Sequence, residues 1–259
     1  LDHRSGSQAQ RGEKTAVTMF LYVPIVVMMV MSFNASAFPT VWGGFSLKWY
    51  SVMAEKTEFV HGAINTLVVA FCASMISTVL GTMLALGIAR REPSSKLDAF
   101  LMAPMIIPDI VLAIALLSFY TLLKFSLGLH SIIMGHVVFN IAFVFAVVRT
   151  RLKDFDYSLV EASIDLGAGA FTTFRRVTLP IIMPGVIAGA LLAFTLSFDE
   201  FIVAFFTAGP RPSSMTLSMH IYSMLRFGVK PEINAVATVL IFISFVLVLL
   251  AQRTNKGVQ

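Results

Sequence analysis

Apolar runs near residues 16–33, 65–89, 100–123, 131–148, 185–206 and 234–251 divide this sequence. Each is close to the roughly 20 residues a helix needs to cross the hydrocarbon of a bilayer. A segment in that solvent must satisfy its backbone groups internally, which a helix does. Hydrophobic residues make up 57% of the chain and charged residues 13%, whereas a soluble domain is about a quarter charged. We therefore expect an all-α integral membrane protein of six transmembrane helices. The net charge of +5 does not indicate nucleic acid, because the basic residues lie between apolar segments rather than in one patch. The single cysteine, Cys72, sits inside an apolar run, so no intrachain disulfide can form.

The segments between the runs are informative. Residues 1–15 are polar and read as a cytoplasmic tail, 16–251 as the membrane domain and 252–259 as a second tail. Residue 1 is Leu, so we expect the native start to lie elsewhere. Ala35-Ser36-Ala37 resembles a signal-peptidase site; an uncleaved first span is preferred in a chain with so many further spans. Trp42, Phe45, Trp49 and Tyr50 suit a membrane interface, with a short helix near Leu47–Ala54. Pro104, Pro108 and Asp109 interrupt the third span near its start. Lysines and arginines split 13 to 6 between the two sides, with Arg90, Arg91, Arg149, Arg151, Lys153, Arg175, Arg176 and Arg253 on the richer one. That bias places both termini and the segment 154–184 in the cytoplasm. No internal repeat of the secondary-transporter kind is visible.

The segment from Glu161 to Gly185 is amphipathic and carries charge of both signs. Asp156 can cap a helix start. Leu159, Ala162, Ser163 and Leu166 then share one face, and Glu161 and Asp165 another. Gly167 and Gly169 bracket Ala168 and can end the helix in the left-handed conformation. A second short helix can run through Phe171 and Phe174 to Val177 before Pro180 and Pro184 break the chain. The plain alternative is a solvated loop.

The same residues resemble the EAA motif of ABC importer permeases: Glu161, Ala162, Gly167, Leu179 and Pro180 match, and Ser163 stands at the third position. The resemblance implies a type I importer permease (MetI-like) fold. It also implies a loop that docks on a cytoplasmic ATPase through Glu161, Ala162, Ser163, Asp165, Leu166, Gly167, Ala168, Phe171 and Arg175.

No G-x-x-x-x-G-K-[ST] loop occurs, so ATP and Mg²⁺ are expected on a partner ATPase and no cofactor on this chain. His3, His61, His130, His136 and His220 lack metal-ligand spacing, and His136 reads as a satisfied core histidine. Serines in the spans read as packing residues. Asp109, Asp199 and Glu200 are acids within apolar runs. A carboxylate at membrane depth costs about 2.5–3.5 kcal/mol and usually faces a cavity or a partner. They read either as helix-breaking hydrogen-bond sites or ion pairs, or as the lining of a cation's path. Successive helical residues point about 100° apart, so Asp199 and Glu200 share a direction only if the helix unwinds. No basic residue is obvious deep in a span, which favours the path.

Further motifs extend the resemblance: S-F-N-A-S at Ser32–Ser36, P-D-I-V at Pro108–Val111, L-A-F-T-L-S-F-D-E-F from Leu192 and G-V-K-P-E-I-N-A-V-A-T from Gly228. Together they are similar to the second permease subunit of spermidine/putrescine-type importers, which often carry two aspartates where this chain has Asp199-Glu200. The implied partners are a homologous second permease, two ATPase subunits, a periplasmic or extracellular binding protein and the lipid of a bacterial cytoplasmic membrane. Relatives taking other amines, amino-acid derivatives or opines share the scaffold. A secondary transporter would leave the 161–180 loop without a task. A membrane enzyme would need a catalytic set, and none is visible.

Overall fold

The computed structural model describes residues 19–38, 41–89, 95–210, 212–226 and 231–256. The expected tail 1–15, Arg90, Arg91, Arg211, Lys230 and the last residues of the 252–259 tail lie outside the described residues. The chain forms two units, Leu1–Phe59 with Ile221–Ser244, and Val60–His220 with Phe245–Gln259.

In the first unit an apolar helix, α1 (Met19–Met31), leads into an aromatic loop. Asn34 organises that loop: its amide donates to the Val41 carbonyl at 2.7 Å, and its carbonyl oxygen accepts from Gly43 N–H at 2.7 Å and Ser36 N–H at 3.1 Å. The Trp49 indole N–H donates to the Asn34 main-chain carbonyl at 2.7 Å. Trp49 belongs to α2 (Lys48–Glu55), within a residue of the expected interfacial helix. Phe33 stacks on Phe45 with ring centroids 5.5 Å apart. Lys56 pairs with Glu232, at the start of α12 (Pro231–Lys256). α12 continues through residues 252–256, so the start of the expected tail is helical.

The second unit is a helical bundle. α3 (Thr57–Ile88) supplies one long helix. The expected third span is two helices, α4 (Ser95–Ile106) and α5 (Asp109–Leu122), bent by 98° at Ile107-Pro108. Pro108 has no N–H to donate and also disfavours helical geometry at Ile107, so the chain turns there. Pro104, inside α4, does not break it. α6 (Leu129–Lys153) is the central strut, with Val144, Phe145 and Val148 fully buried. The bidentate pair from Arg149 to Asp98, at 2.6 and 2.8 Å, ties α6 to α4.

After α6 come α7 (Ser158–Asp165), α8 (Ala170–Thr173) and a single π-helical turn, Phe174–Thr178. Then follow α9 (Leu179–Asp199), α10 (Ile202–Thr207) and α11 (Leu217–Arg226). Pro180 and Pro184 do not end the helix as expected, because helix runs from Ala170 to Asp199. In a regular turn the Pro180 ring would strike the carbonyl of Arg176. The wider π turn lies at that point and accommodates it. The expected fifth span breaks instead at Glu200-Phe201, between α9 and α10.

Close helix contact explains the small residues. A β-carbon on Gly81 would lie 2.8 Å from Val144 Cβ, and one on Gly185 would lie 2.9 Å from Arg151 Cβ, so α3 and α9 both approach α6 nearly backbone to side chain. Span hydroxyls mostly bond back to their own helices, as Ser77 Oγ does to the Ala73 carbonyl at 2.7 Å and Thr195 Oγ1 to Leu191 at 2.8 Å. Among the described residues three helices are long and apolar enough to cross a membrane, Thr57–Ile88, Leu129–Lys153 and Ala170–Asp199, and the bent α4–α5 pair would be a fourth. Met19–Met31 and Pro231–Val246 are apolar but shorter.

Candidate functional site

The segment between α6 and α9 forms a compact elbow. The Asp156 carboxylate accepts the Ser158 N–H at 2.9 Å and so caps the approach to α7. The Ser158 side chain and then its backbone N–H hold that carboxyl below its ordinary range. α7 ends in a Schellman turn: the Ala168 N–H donates to Ser163 O at 3.1 Å and the Gly167 N–H to Ile164 O at 2.8 Å. Gly167 has φ +84°, the left-handed conformation expected of it. Gly169 differs, lying extended at φ −72° and ψ 159°. One left-handed residue is enough to reverse the chain, and Gly169 serves as the N-cap of α8. The Ser163 and Thr173 hydroxyls lie 3.0 Å apart and tie the two arms together.

The inner side of the elbow rests on the bundle. Val160, Phe155 and Leu152 are buried in one cluster with Val148 and Ile182. A cavity of about 290 Å³ remains between the elbow and the ends of α3 and α6, lined by Leu86, Leu152, Val160, Thr173 and Phe174 among others. The expected Leu159–Ala162–Ser163–Leu166 face is not the buried one. Val160 points inward, while Leu159, Ile164, Leu166 and Phe171 are exposed, Leu166 at 89% and Phe171 at 74%. Val160 is buried in one cluster with Leu152 and Phe155, and that packing decides which side of α7 faces inward. Glu161, Asp165, Arg175 and Arg176 are also exposed, so the outer face mixes apolar side chains with both charges. Such a surface can receive a partner of mixed polarity.

The three acids sit at the two breaks in the bundle. Asp109 opens α5 directly after the 98° bend and is exposed. Asp199 closes α9 and is exposed as well. Glu200 lies in the break itself with its side chain only 11% exposed. Its carboxylate accepts the Val203 and Ala204 N–H groups at 2.7 and 3.0 Å, so it caps α10. His136 of α6, only 1% exposed, brings Nε2 to 3.3 Å from Glu200 Oε2, an ion-pair distance. Its Nδ1 lies 2.6 Å from the Ser197 hydroxyl. The helix does unwind between Asp199 and Glu200, and the two side chains part company: one faces out, the other inward.

Sequence reasoning missed the partner of Glu200. His136 was legible as a core histidine, but nothing in its neighbours pointed to an acid on another helix. The Asp98–Arg149 pair was missed for the same reason, since it joins residues 51 apart in the chain; Asn34 was missed although its partners lie within 15 residues. Among the described residues Asn140, one turn beyond His136, is fully buried and its amide makes no hydrogen bond.

The described residues combine a helical bundle, a mixed-polarity elbow and acids at two helix breaks. The family model described as binding-protein-dependent transport system inner membrane component matches residues 77–257, and the chain belongs to that family. It is 40% identical over 258 residues to the spermidine/putrescine transport system permease protein PotC of Escherichia coli K12, covering 97% of both chains. It is 37% identical to the putrescine transport system permease protein PotI of the same organism, covering 92% of this chain and 88% of that one. Its fold is similar to a chain of a bacterial ABC transporter that imports the acidic polysaccharide alginate, with a TM-score of 0.71 at 15% identity, covering 99% of this chain and 100% of that one. It also resembles a chain of the MetNI methionine ABC transporter in an inward-facing form, with a TM-score of 0.64 at 20% identity, covering 77% of this chain and 95% of that one.

Proposed function

We propose that this chain is a permease subunit of an ATP-driven importer of small cationic amines, with putrescine and spermidine as its substrate class. The observation that carries the reading is the near full-length likeness to two polyamine permeases. The exposed carboxylates of Asp109 and Asp199 at helix breaks support it. Asp199 closes α9, where the carbonyl end adds partial negative charge that attracts a cation.

In this reading six helices cross a bacterial cytoplasmic membrane, α4 and α5 together making one span, with both termini inside. The domain boundaries are those of a membrane core at 16–251 flanked by two cytoplasmic tails. The elbow at 154–184 meets one of two ATPase subunits through Leu166 and Phe171, with Glu161, Ala162, Ser163, Asp165, Gly167, Ala168 and Arg175 forming the remainder of the docking surface. ATP and Mg²⁺ belong to those subunits, and this chain hydrolyses nothing. A homologous second permease completes the path, and a binding protein delivers substrate from outside. Closure of the ATPases pushes the elbow, and the bundle moves through α6 and α9. Affinity resides in the binding protein, while the path needs only weak sites so that substrate can leave.

The test is ATP-dependent uptake by the reconstituted complex with its binding protein, offering putrescine, spermidine, 4-aminobutyrate and an opine. Uptake confined to the di- and polyamines is expected. Uptake of the zwitterion or opine alone overturns the substrate class.

A further inference from the structure

We propose that His136 and Glu200 are positioning residues: they hold the break between α9 and α10 open at a fixed angle and so aim Asp199 outward, without binding substrate themselves. The inference rests on the amine-importer reading only for its link to uptake; the strut itself is a matter of geometry.

The contacts at Glu200 come from several directions. Its two carboxylate oxygens take the first N–H groups of α10, at 2.7 and 3.0 Å. Its main-chain carbonyl accepts the Ser218 hydroxyl of α11 at 3.2 Å. His136 approaches Oε2 from α6 at 3.3 Å, and the opposite ring nitrogen reaches Ser197, on the last turn of α9, at 2.6 Å. One imidazole therefore spans the break, touching α9 before it and the cap of α10 after it. Nδ1 shares a hydrogen bond with the Ser197 hydroxyl, while Nε2 faces the Glu200 carboxylate at ion-pair distance without a hydrogen bond of its own. Each ring nitrogen thus faces one side of the break, and His136 is 1% exposed.

At the break the Phe201 carbonyl accepts the Phe205 N–H at 2.8 Å and so starts α10. Glu200 is extended at ψ 127° and Phe201 lies at φ −114°, so the turn could open or close if side chains did not hold it. Its tightness matters for Asp199, the neighbour left exposed. Adjacent acids of similar chemistry thus divide the work. Glu200 spends its oxygens on the protein, and Asp199 keeps its own for a cation.

The test uses the complete complex with Cys72→Ser. Spin labels are placed on cysteines substituted for the exposed residues Ile187, on α9, and Phe205, on α10. The wild-type pair should give a narrow distance distribution. His136→Ala should broaden it, and His136→Gln, whose amide can donate to Glu200 and accept from Ser197, should restore it. Maximal putrescine uptake should fall about tenfold in His136→Ala, with ATP hydrolysis stimulated by loaded binding protein kept within about twofold. Adding Asp199→Asn should cost little more than either change alone, because both act on one group. Ser197→Ala and Glu200→Gln each remove one arm and should broaden the distribution partly, so they carry the test if His136→Ala does not assemble. Unchanged distances in all these variants, or fully additive losses with Asp199→Asn, overturn the proposal. A complex that carries no amine even as wild type, yet shows the broadening, sinks the amine reading and leaves the strut standing.

Discussion

At the scale of single residues, Gly167 and the exposed acids give the sharpest expectations. A β-carbon on Gly167 would meet nothing within 4 Å, so only its φ of +84° resists substitution. Gly167→Ala should then cost about 1 kcal/mol, the penalty of one left-handed residue, and Gly167→Asn less, since asparagine tolerates that region. Thermal unfolding of the purified permease would rank the two. Gly167→Asp adds a charge to the outer face of the elbow and should uncouple ATP hydrolysis from uptake; normal ATP-driven uptake in that variant would refute the docking role. Asp109→Asn and Asp199→Asn should each slow amine uptake about tenfold or less while assembly is kept, since in the proposed path each supplies one weak site. Transport assays beside a count of assembled complexes decide between the two effects. Gly167 was readable from the local pattern because a turn is a local property. Glu200 was readable only as an acid in an apolar run, because its partner is set by packing.

At the scale of elements, the breaks and close crossings carry the consequences. α3 meets α6 where Gly81 faces Val144, and Gly81→Ala should destabilise the bundle by about 1–3 kcal/mol through overpacking. Val144→Ala in the same chain should recover part of that loss. A double-mutant cycle on thermal midpoints measures the coupling, and simple additivity would mean the two helices do not touch there. The elements themselves were largely legible, since long apolar runs and a capped amphipathic segment have periodicities that follow from the backbone. Their interruptions were less so. Proline predicted the bend at Pro108 correctly but the helix end at Pro180 wrongly. The difference is that Pro108 lies among exposed residues at the α4–α5 bend, whereas Pro180 follows a π turn and continues into a helix packed along α6.

At the scale of the whole molecule, the outer face of the elbow is the place to test assembly. Leu166 and Phe171 expose most of their surface, and burying such side chains in a partner commonly contributes more than the charges at the rim. Leu166→Ala with Phe171→Ala should weaken association with the ATPase subunits at least tenfold, read by co-purification over a range of detergent and salt. Retention of the ATPases at wild-type level would remove these residues from the docking surface. A cysteine substituted for Ala168, in the Cys72→Ser background, should react with a membrane-impermeant maleimide in inverted vesicles and not in right-side-out cells. The reverse pattern would invert the proposed orientation.

The sequence by itself determined that this chain is helical, that it belongs in a bilayer, and that an amphipathic segment with a glycine elbow lies between its fourth and fifth apolar runs. Those properties follow from solvent and from backbone periodicity, which neighbouring residues carry without help. Only the tertiary structure decided which side of α7 is buried, that the fifth apolar run is a broken helix, and that Glu200 turns inward to His136 while Asp199 stays exposed. Each of those outcomes depends on what packs against a helix from elsewhere in the chain, and a pattern along the chain holds no record of the neighbour across it.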